Sequence, residues 1–304
     1  MKPRIIAIAG PTASGKTDVS IRIAQHLNSE IISFDSRQFY RELNIGVARP
    51  TAIQLSAAPH HFIANKSILE TYSAATFAAE ARIKISELLE TKEYVILCGG
   101  TGLYLKALLE GFSLLPETHA EIREEVENIW ISKGISGLLE IIKSQDPAAL
   151  AQIETQNPAR LKRVAELLLS AKNQSLKEIY APKMSSIEFS YQIFNLMPEK
   201  EVLYAKIENR VDAMMEEGLL EEVKSVYTNR DLSVLKTVGY AELFDYMDGI
   251  ATMDEAVRMI KQHTRNYAKR QITWFKNKTD GISLQPDNAP AEILDFLKNY
   301  KSEY

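Results

Sequence analysis

Short apolar runs alternate with amphipathic stretches over the first third of the chain. Each run is long enough for one buried strand, and each amphipathic stretch has the spacing of a helix. Strands that alternate with helices predict an α/β fold whose parallel sheet carries helices on both faces. The predicted strands are RIIAIA (4–9), EIISFD (30–35) and YVILC (94–98), and the predicted helices span about 16–27 and, after Ser73 as N-cap, about 74–91.

The pattern changes after Pro116, where helical periodicity with polar breaks continues to about Tyr180. The run SYQIFNLM (190–197) then returns to the strand pattern, and the rest of the chain is mostly helical. We therefore predict an all-helical insertion at residues 117–182, within an α/β core built from residues 1–116 and 183–304. The later helices are predicted at about 199–218, 239–247 and 255–275.

Composition places the chain among ordinary globular proteins. Of its 304 residues, 45% are hydrophobic and 25% are charged, which is enough to bury a sizeable core. Cys98 is the single cysteine, so an intramolecular disulfide is excluded, and no Cys/His cluster has the spacing of zinc ligands. The first apolar run is too short for a signal peptide or a membrane span, which predicts a cytoplasmic protein.

Charge is unevenly distributed along the chain. The net charge of −4 argues weakly against a polyanionic partner. However, the stretch from Val257 to Thr279 contains seven Lys or Arg residues and no acid. By itself such a run is more typical of a solvated helix face, although it is also the local patch that a polyanionic partner would need.

The segment GPTASGKT, which follows the first predicted strand, matches the phosphate-binding pattern G-x-x-x-x-G-K-[ST] and indicates a P-loop NTPase-like core. Its glycines let the backbone curl until the N–H groups point inward, and the following helix adds partial positive charge. The lysine contacts the phosphates, and the last threonine hydroxyl is suited to ligate Mg²⁺. The pattern does not decide between ATP and another diphosphate. The predicted phosphate-binding residues are Gly10, Pro11, Thr12, Ala13, Ser14, Gly15, Lys16 and Thr17.

P-loop NTPases usually have a second strand that ends in an acidic residue near the phosphates. The strand 94–98 ends in Gly99-Gly100 and has no acid, whereas the strand 30–35 ends in Asp35. Because ligands of open α/β sheets bind at the carboxyl ends of the strands, we expect Asp35 to lie beside the phosphates. The alternative is that Asp35 only caps a following helix.

Taken together, these motifs resemble those of the tRNA dimethylallyltransferase (isopentenyltransferase) family in its compact bacterial form. The matching segments appear in family order over most of the chain, although three positions differ. Val47 and Arg49 stand where the family usually has Thr and Lys, and Ala64 stands where it often has Asp. The segments are GPTASGKT (10–17), DSRQFYRELNIGVARP (35–50), APHHF (58–62), YSAATF (72–77), GGTGLYLKALLEG (99–111), NPARLKRVAE (157–166), VGYAEL (238–243) and RNYAKRQITWF (265–275).

The resemblance implies transfer of a dimethylallyl group from its diphosphate to the exocyclic amine of the adenosine immediately 3′ of the tRNA anticodon. It assigns the general base to Asp35 and places Lys16, Thr17 and Mg²⁺ on the departing diphosphate. Arg210 is expected to reach the same diphosphate, unless it is only a helix charge paired with Glu208 or Asp212. The residues expected to bind the tRNA anticodon stem-loop are Asp35, Ser36, Arg37, Gln38, Thr101, Arg123, Arg160, Lys162, Arg163, Lys269, Arg270 and Gln271.

Other functions share these features. A nucleotide or small-molecule kinase has the same phosphate loop and core, an adenylate isopentenyltransferase uses the same prenyl donor, and a P-loop RNA-binding module needs no catalysis. The predicted helical insertion and the basic run favour a large RNA acceptor, and we expect a monomer. Trp274 and Phe275 fit a core position as well as a stacking platform, whereas His60 and His61 are expected to be structural.

Overall fold

A parallel six-stranded sheet with strand order β3-β2-β4-β1-β5-β6 forms the centre of the fold in this computed structural model, which describes residues 3–111, 113, 115–181 and 187–302. The predicted parallel α/β fold is therefore confirmed. The strands are β1 (Ile5–Ala9), β2 (Ile31–Ser33), β3 (His60–His61), β4 (Val95–Gly99), β5 (Tyr191–Leu196) and β6 (Ile282–Leu284).

Helices connect the strands and make up most of the rest of the described chain. Within those residues, no helix is both long enough and apolar enough to cross a membrane. The helix α5 is interrupted at Gly134, which has non-helical backbone angles. The helices are α1 (Lys16–His26), α2 (Ala52–Ala57), α3 (Ala74–Thr91), α4 (Gly102–Glu110), α5 (Ala120–Gln145), α6 (Pro158–Ser170), α7 (Leu176–Ile179), α8 (Lys200–Glu216), α9 (Leu219–Val226), α10 (Tyr240–Met247), α11 (Met253–Lys278) and α12 (Ala289–Ser302).

The chain divides into two compact units. One unit comprises Met1–Leu109 and Ile187–Tyr304 and contains the sheet, and the other comprises Glu110–Ser186 and contains α5, α6 and α7. The sequence-based bounds of the insertion were 117 and 182, and the second of these lies outside the described residues. The helical unit has its own apolar core, in which Leu138 and Ile142 of α5 pack with Leu161 and Leu168 of α6.

Both faces of β1 are covered, because all five of its residues are fully buried. On one face, Ile6 and Ile8 belong to a core cluster with Ile23 of α1 and Ile293 of α12. Continuous burial is typical of a central strand in a parallel sheet with helices on both sides, which is why this strand reads as an unbroken apolar run. The same packing fixes the carboxyl end of β1, where the glycine-rich motif begins.

Three of the elements that the sequence did not predict are short or have no buried residue. The strands β3 and β6 have two and three residues, too few for a periodic pattern, and α2 has no buried residue. In β3, His61 Nε2 lies 2.7 Å from a carboxylate oxygen of Glu30, and His60 Nδ1 lies 2.7 Å from the carbonyl oxygen of Ala58. These contacts give both histidines a structural role in pairing β3 with β2.

Candidate active site

The glycine-rich segment forms a tight loop between β1 and α1. At Gly10 the backbone φ is 149°, and a Cβ atom there would lie 2.6 Å from the carbonyl oxygen of Leu196 on β5, so no other residue fits. Lys16 Nζ donates to the carbonyl oxygen of Pro11 across the loop at 2.6 Å. The loop is thus closed around the lysine at the carboxyl end of the sheet.

The ammonium group of Lys16 is buried, and this burial lowers its pKa to about 8. Cys98 and Asp35 raise the pKa and Arg210 lowers it further, but burial has the largest effect. A lysine with a depressed pKa lacks sufficient negative charge around it. The loop therefore presents a cation whose charge a bound anion would stabilise.

Gln271 on α11 ties this loop to the neighbouring strand. Its side chain is 6% exposed, its Oε1 accepts from the backbone N–H of Thr12 at 2.8 Å, and its Nε2 donates to the carbonyl oxygen of Gly100 at 2.9 Å. The oxygen and the nitrogen of the side-chain amide are therefore both hydrogen-bonded to backbone groups that lie outside the strands. The structure thus gives Gln271 a part in shaping the phosphate loop, whereas its contact with RNA stays a prediction.

Asp35 follows β2 at the same edge of the sheet. The preceding residue, Phe34, donates its N–H to the carbonyl oxygen of Cys98 at 2.9 Å and so extends the pairing with β4. Oδ1 of Asp35 accepts from the backbone N–H of Arg37 at 3.1 Å, which holds the carboxylate in a turn. A turn follows Asp35 rather than the helix that the alternative interpretation requires.

Two cavities meet at this carboxylate. The first has a volume of about 660 Å³ and is lined by the phosphate loop. The second has a volume of about 200 Å³ and is lined by polar residues together with apolar side chains of α8, α9 and α11. A group held on the phosphate loop would therefore face the second cavity across Asp35. The residues that line both are Thr12, Asp35, Val47, Ala48, Arg210 and Met214.

Arg210 on α8 lines both cavities and forms no salt bridge among the described residues. Its acidic neighbours are engaged elsewhere, since Glu208 pairs with Arg265 at 2.6 Å and Asp212 pairs with Lys261 at 2.6 Å. The pairing that would have made Arg210 a plain helix charge is therefore absent. Burial lowers the pKa of Arg210. Its guanidinium lines both cavities and is a second cation there, in addition to the ammonium of Lys16.

The residues after Asp35 are held by side-chain hydrogen bonds. Ser36 donates its N–H to Oγ1 of Thr101 at 3.1 Å, Arg37 Nη1 donates to the carbonyl oxygen of Val234 at 2.7 Å, and Gln38 Nε2 donates to the carbonyl oxygen of Ala48 at 3.0 Å. Ser36 and Arg37 line the second cavity, and Gln38 lines the first. Four residues that the resemblance assigns to tRNA binding are thus brought together beside the carboxylate.

Sequence reasoning missed one residue of this group, Tyr267 of α11. It lines the second cavity, and burial raises its pKa to about 12. Tyr267 lies within the basic run, where the neighbouring Lys and Arg residues suggested a solvated helix face rather than a cavity lining. A signal was nevertheless present, since Tyr267 and Gln271 are one helical turn apart and share a face.

The basic run lies on α11 and is divided between two faces. Phe275 is fully buried, and the half-buried indole of Trp274 packs against Gly102, so both aromatic residues belong to the packing of the core. Lys261 and Arg265 pair with α8. The exposed basic residues without a salt bridge among the described residues are Arg258, Lys269, Arg270, Lys276 and Lys278.

The RNA contacts predicted in the helical unit lie on α5 and α6. Arg123 on α5 is exposed. The three on α6 already have acidic partners. Arg160 pairs with Glu154 at 3.3 Å, Lys162 with Glu127 at 2.6 Å, and Arg163 with Glu166 at 3.1 Å. Any RNA phosphate would have to compete with these carboxylates, so we expect each of the three to contribute less than an unpaired cation.

Comparison with known proteins agrees with this geometry. The sequence profile described as IPP transferase matches residues 38–278. The chain belongs to the IPP transferase family. A relative from Flavobacterium johnsoniae, described as a tRNA dimethylallyltransferase, is 41% identical, and the alignment covers 98% of both chains.

Solved structures of IPP transferases have the same fold over nearly the whole chain. The full-length tRNA isopentenylpyrophosphate transferase from Bacillus halodurans is 36% identical, with a TM-score of 0.73 and coverage of 99% of this chain and 98% of that one. The tRNA delta(2)-isopentenylpyrophosphate transferase from Staphylococcus epidermidis is 31% identical, with a TM-score of 0.69 and 99% coverage of both chains.

Two of the departures from the usual IPP transferase motif have visible consequences. Arg49 Nη2 donates hydrogen bonds to the carbonyl oxygens of Tyr40, Arg41 and Leu43, and it thereby stabilises the segment that contains it. Ala64 has a φ of 51°, in the left-handed region that Asp tolerates better than Ala. The aspartate that the family often has at this position therefore fits the backbone, and alanine adds strain.

The depressed pKa of Lys16 predicts a pH-dependent affinity for a diphosphate. Below about pH 8 the ammonium is charged in the free protein, so affinity is constant. Above this value the proton must be taken up on binding, and affinity falls about tenfold per pH unit. Burial raises the pKa of Cys98, so the thiol stays neutral in this range. The measurement is calorimetric titration with inorganic diphosphate at several pH values.

Lys16→Ala is the control for this experiment, because it removes the titrating group. We expect this variant to bind diphosphate weakly with a flat pH profile. If wild-type affinity stays constant through a full pH unit above the pKa of Lys16, its charge does not govern phosphate binding.

Proposed function

We propose that this protein is a tRNA dimethylallyltransferase that joins a dimethylallyl group to the exocyclic amine of the adenosine immediately 3′ of the anticodon. The observation that carries the proposal is the position of Asp35, which lines both the cavity at the cationic phosphate loop and the second cavity. The names of the full-length relatives support the same reaction. As a tRNA-modifying enzyme, it would act in the cytoplasm and as a monomer.

The donor binds with its diphosphate on the phosphate loop. The backbone N–H groups at the N-terminus of α1, the ammonium of Lys16 and the guanidinium of Arg210 supply positive charge for it. These groups are fixed before the ligand arrives, so they can stabilise the negative charge that grows on the diphosphate as it leaves. The allylic carbon would then lie near Asp35, at the entrance of the second cavity.

The acceptor amine needs help, because its lone pair is delocalised into the adenine ring. A carboxylate that accepts a hydrogen bond from the amine orients the nitrogen and takes a proton from it. In the reaction, a bond forms between this nitrogen and the allylic carbon, and the bond from that carbon to the diphosphate oxygen breaks. The proton moves to Asp35, and diphosphate is released.

The residues at the loop fit a magnesium ion that binds together with the diphosphate. The Thr17 hydroxyl and the carboxylates of Asp18 and Asp35 offer oxygen donors to the first cavity. Among the described residues no group of three His, Cys, Asp or Glu could hold a metal, but Mg²⁺ takes few protein ligands and completes its shell with phosphate and water. Thr17 would hold the ion, whose charge neutralises the leaving group.

The adenosine has to leave the stack of the anticodon loop to reach Asp35. Such a base is read by groups that contact its edges once it is flipped out, and the cluster formed by Ser36, Arg37, Gln38 and Thr101 is suited to this. The exposed cations Lys269 and Arg270 on α11 would hold the RNA backbone, as would Arg123, Arg160, Lys162 and Arg163 in the helical unit.

The proposal is tested by incubating the protein with labelled dimethylallyl diphosphate, Mg²⁺ and unmodified tRNA, followed by nucleoside analysis. We expect one labelled adenosine per tRNA, next to the anticodon. Label transfer to free AMP but not to tRNA would indicate an adenylate isopentenyltransferase. Stronger thermal stabilisation by ATP than by dimethylallyl diphosphate would indicate a kinase, and binding of both ligands without turnover would indicate an RNA-binding module.

Asp35→Asn should fold normally and lose about 10²–10⁴-fold in the single-turnover rate, because the amide keeps the size of the carboxylate but cannot accept the proton. Donor and tRNA affinities should change little. The rate is measured with enzyme in excess over labelled tRNA. A near-normal rate in this variant would remove Asp35 from the proton transfer.

Charge reversal on α11 should weaken tRNA binding and leave donor binding unchanged. Each phosphate contact that is lost should reduce the slope of log affinity against log salt by roughly 0.7–0.9. The variants are Lys269→Glu and Arg270→Glu, titrated with tRNA at several salt concentrations. The matched control is Lys298→Glu on α12, an exposed lysine that pairs with Asp295.

Superimposable curves for the wild type, the two α11 variants and the control would show that the exposed basic residues form only a solvated face. The same test applies to Arg160 and Arg163. There we expect smaller effects, because their acidic partners already offset part of the charge.

A further inference from the structure

The segment Asn44–Pro50, which we call the wall loop, forms a side of both cavities. All of its residues except Gly46 line the first cavity, and Gly46, Val47 and Ala48 line the second. The wall loop contains no helix or strand, so its own backbone pairing does not determine where it lies. Other parts of the protein must therefore set its position, and with it the width of the space around Asp35.

Glu222 on α9 holds the wall loop from outside. Its Oε2 accepts from the backbone N–H of Asn44 at 3.0 Å and of Ile45 at 2.8 Å, and its Oε1 accepts from the N–H of Gly46 at 2.9 Å. Three consecutive N–H groups that converge on one carboxylate form a strong anion-binding arrangement, because each hydrogen bond is assisted by charge.

Tyr240 on α10 completes this arrangement. Its hydroxyl donates to Oε1 of Glu222 at 2.5 Å, and the tyrosine is fully buried. Its ring also lies directly against Gly46, where a Cβ atom would come within 2.6 Å of the ring. The tyrosine therefore orients the carboxylate and also sets how far the wall loop can move inward.

The inner side of the wall loop is held by the segment that carries Asp35. Gln38 Nε2 donates to the carbonyl oxygen of Ala48 at 3.0 Å, and Arg49 donates to the backbone of residues 40–43. The wall loop is thus held at two places, by Gln38 at Ala48 and by Glu222 at residues 44–46. Loss of either contact should change the distance between the wall loop and Asp35.

We propose that Glu222 is a positioning residue for the transfer reaction, and that it acts by holding the wall loop against the donor site. The inference rests on the proposed function, because it assigns the first cavity to the prenyl diphosphate. Both carboxylate oxygens are used, so Glu222→Gln places an amide N–H₂ against backbone N–H or hydroxyl donors. The substitution keeps the size of the side chain and removes both the charge and one acceptor.

The test compares Glu222→Gln with Tyr240→Phe, which removes only the hydroxyl and keeps the ring under Gly46. The matched control is Glu221→Gln, since Glu221 is the adjacent residue of α9 and pairs only with Lys224 on the surface, at 2.7 Å. For each protein we measure the affinity for dimethylallyl diphosphate with Mg²⁺ by calorimetry, the affinity for tRNA, the single-turnover rate and the thermal unfolding midpoint.

In Glu222→Gln, donor affinity and single-turnover rate should each fall about tenfold, the size expected from one lost charge-assisted hydrogen bond. In Tyr240→Phe, both should fall about threefold, because a neutral donor is removed. The tRNA affinity should stay within about twofold of the wild type in each variant, since the α11 cations are untouched. Glu221→Gln should match the wild type in all four measurements.

The inference is overturned if donor affinity and rate in Tyr240→Phe and Glu222→Gln equal those of the control. It is also overturned if activity falls only in proportion to the folded fraction, with normal affinity and rate in the molecules that remain folded. If Glu222→Gln does not fold, Tyr240→Phe decides. A wild-type protein that binds no prenyl diphosphate would instead refute the proposed function.

Discussion

The parallel pairing of the central strands is the constraint on which the site depends. Ala9 at the end of β1 lies opposite Gly99 of β4 and Asn195 of β5, and Ser33 of β2 lies opposite Cys98. The hydrogen-bonded register therefore fixes where each strand ends to within one residue. The phosphate loop, Gly100 and the carboxylate of Asp35 each come shortly after one of these strand ends, so the sheet places them together.

Positive charges at the carboxyl edge of the sheet are in place before a ligand binds. Lys16 and Arg210 are both partly buried, neither forms a salt bridge among the described residues, and burial lowers the pKa of each. Burying cations in this way costs stability, and a protein that only needed to fold would pair them. An anion that enters the first cavity relieves this cost, so part of the free energy of donor binding is built into the unliganded fold. Asp35 limits the cost, because its charge raises the pKa of Lys16.

The sequence predicted the parts of the site that follow long apolar strands, because the strand ends locate the motif residues directly. It failed where a side chain is defined by a distant partner. Glu222 looked like one of several surface acids, yet its contact with Gly46 spans 176 residues of sequence. Gln271 stood in a basic motif, and nothing in the sequence pointed to the hydrogen bonds by which its amide joins the phosphate loop to Gly100. Its contact with RNA stays a prediction. Short elements such as β6 carry too little pattern to be recognised.

The dense motif RNYAKRQITWF is explained by the two faces of α11. Ala268, Gln271 and Phe275 are spaced three and four residues apart, so they share the buried face, where Ala268 packs with Ala13 of the phosphate loop. Lys269 and Arg270 fall on the exposed face between them. One helix thus contacts the phosphate loop from its inner face and carries on its outer face the exposed cations that we propose bind RNA. Because a helix is rigid over two turns, the spacing between the donor site and the proposed RNA contacts is set by helical geometry rather than by a flexible loop.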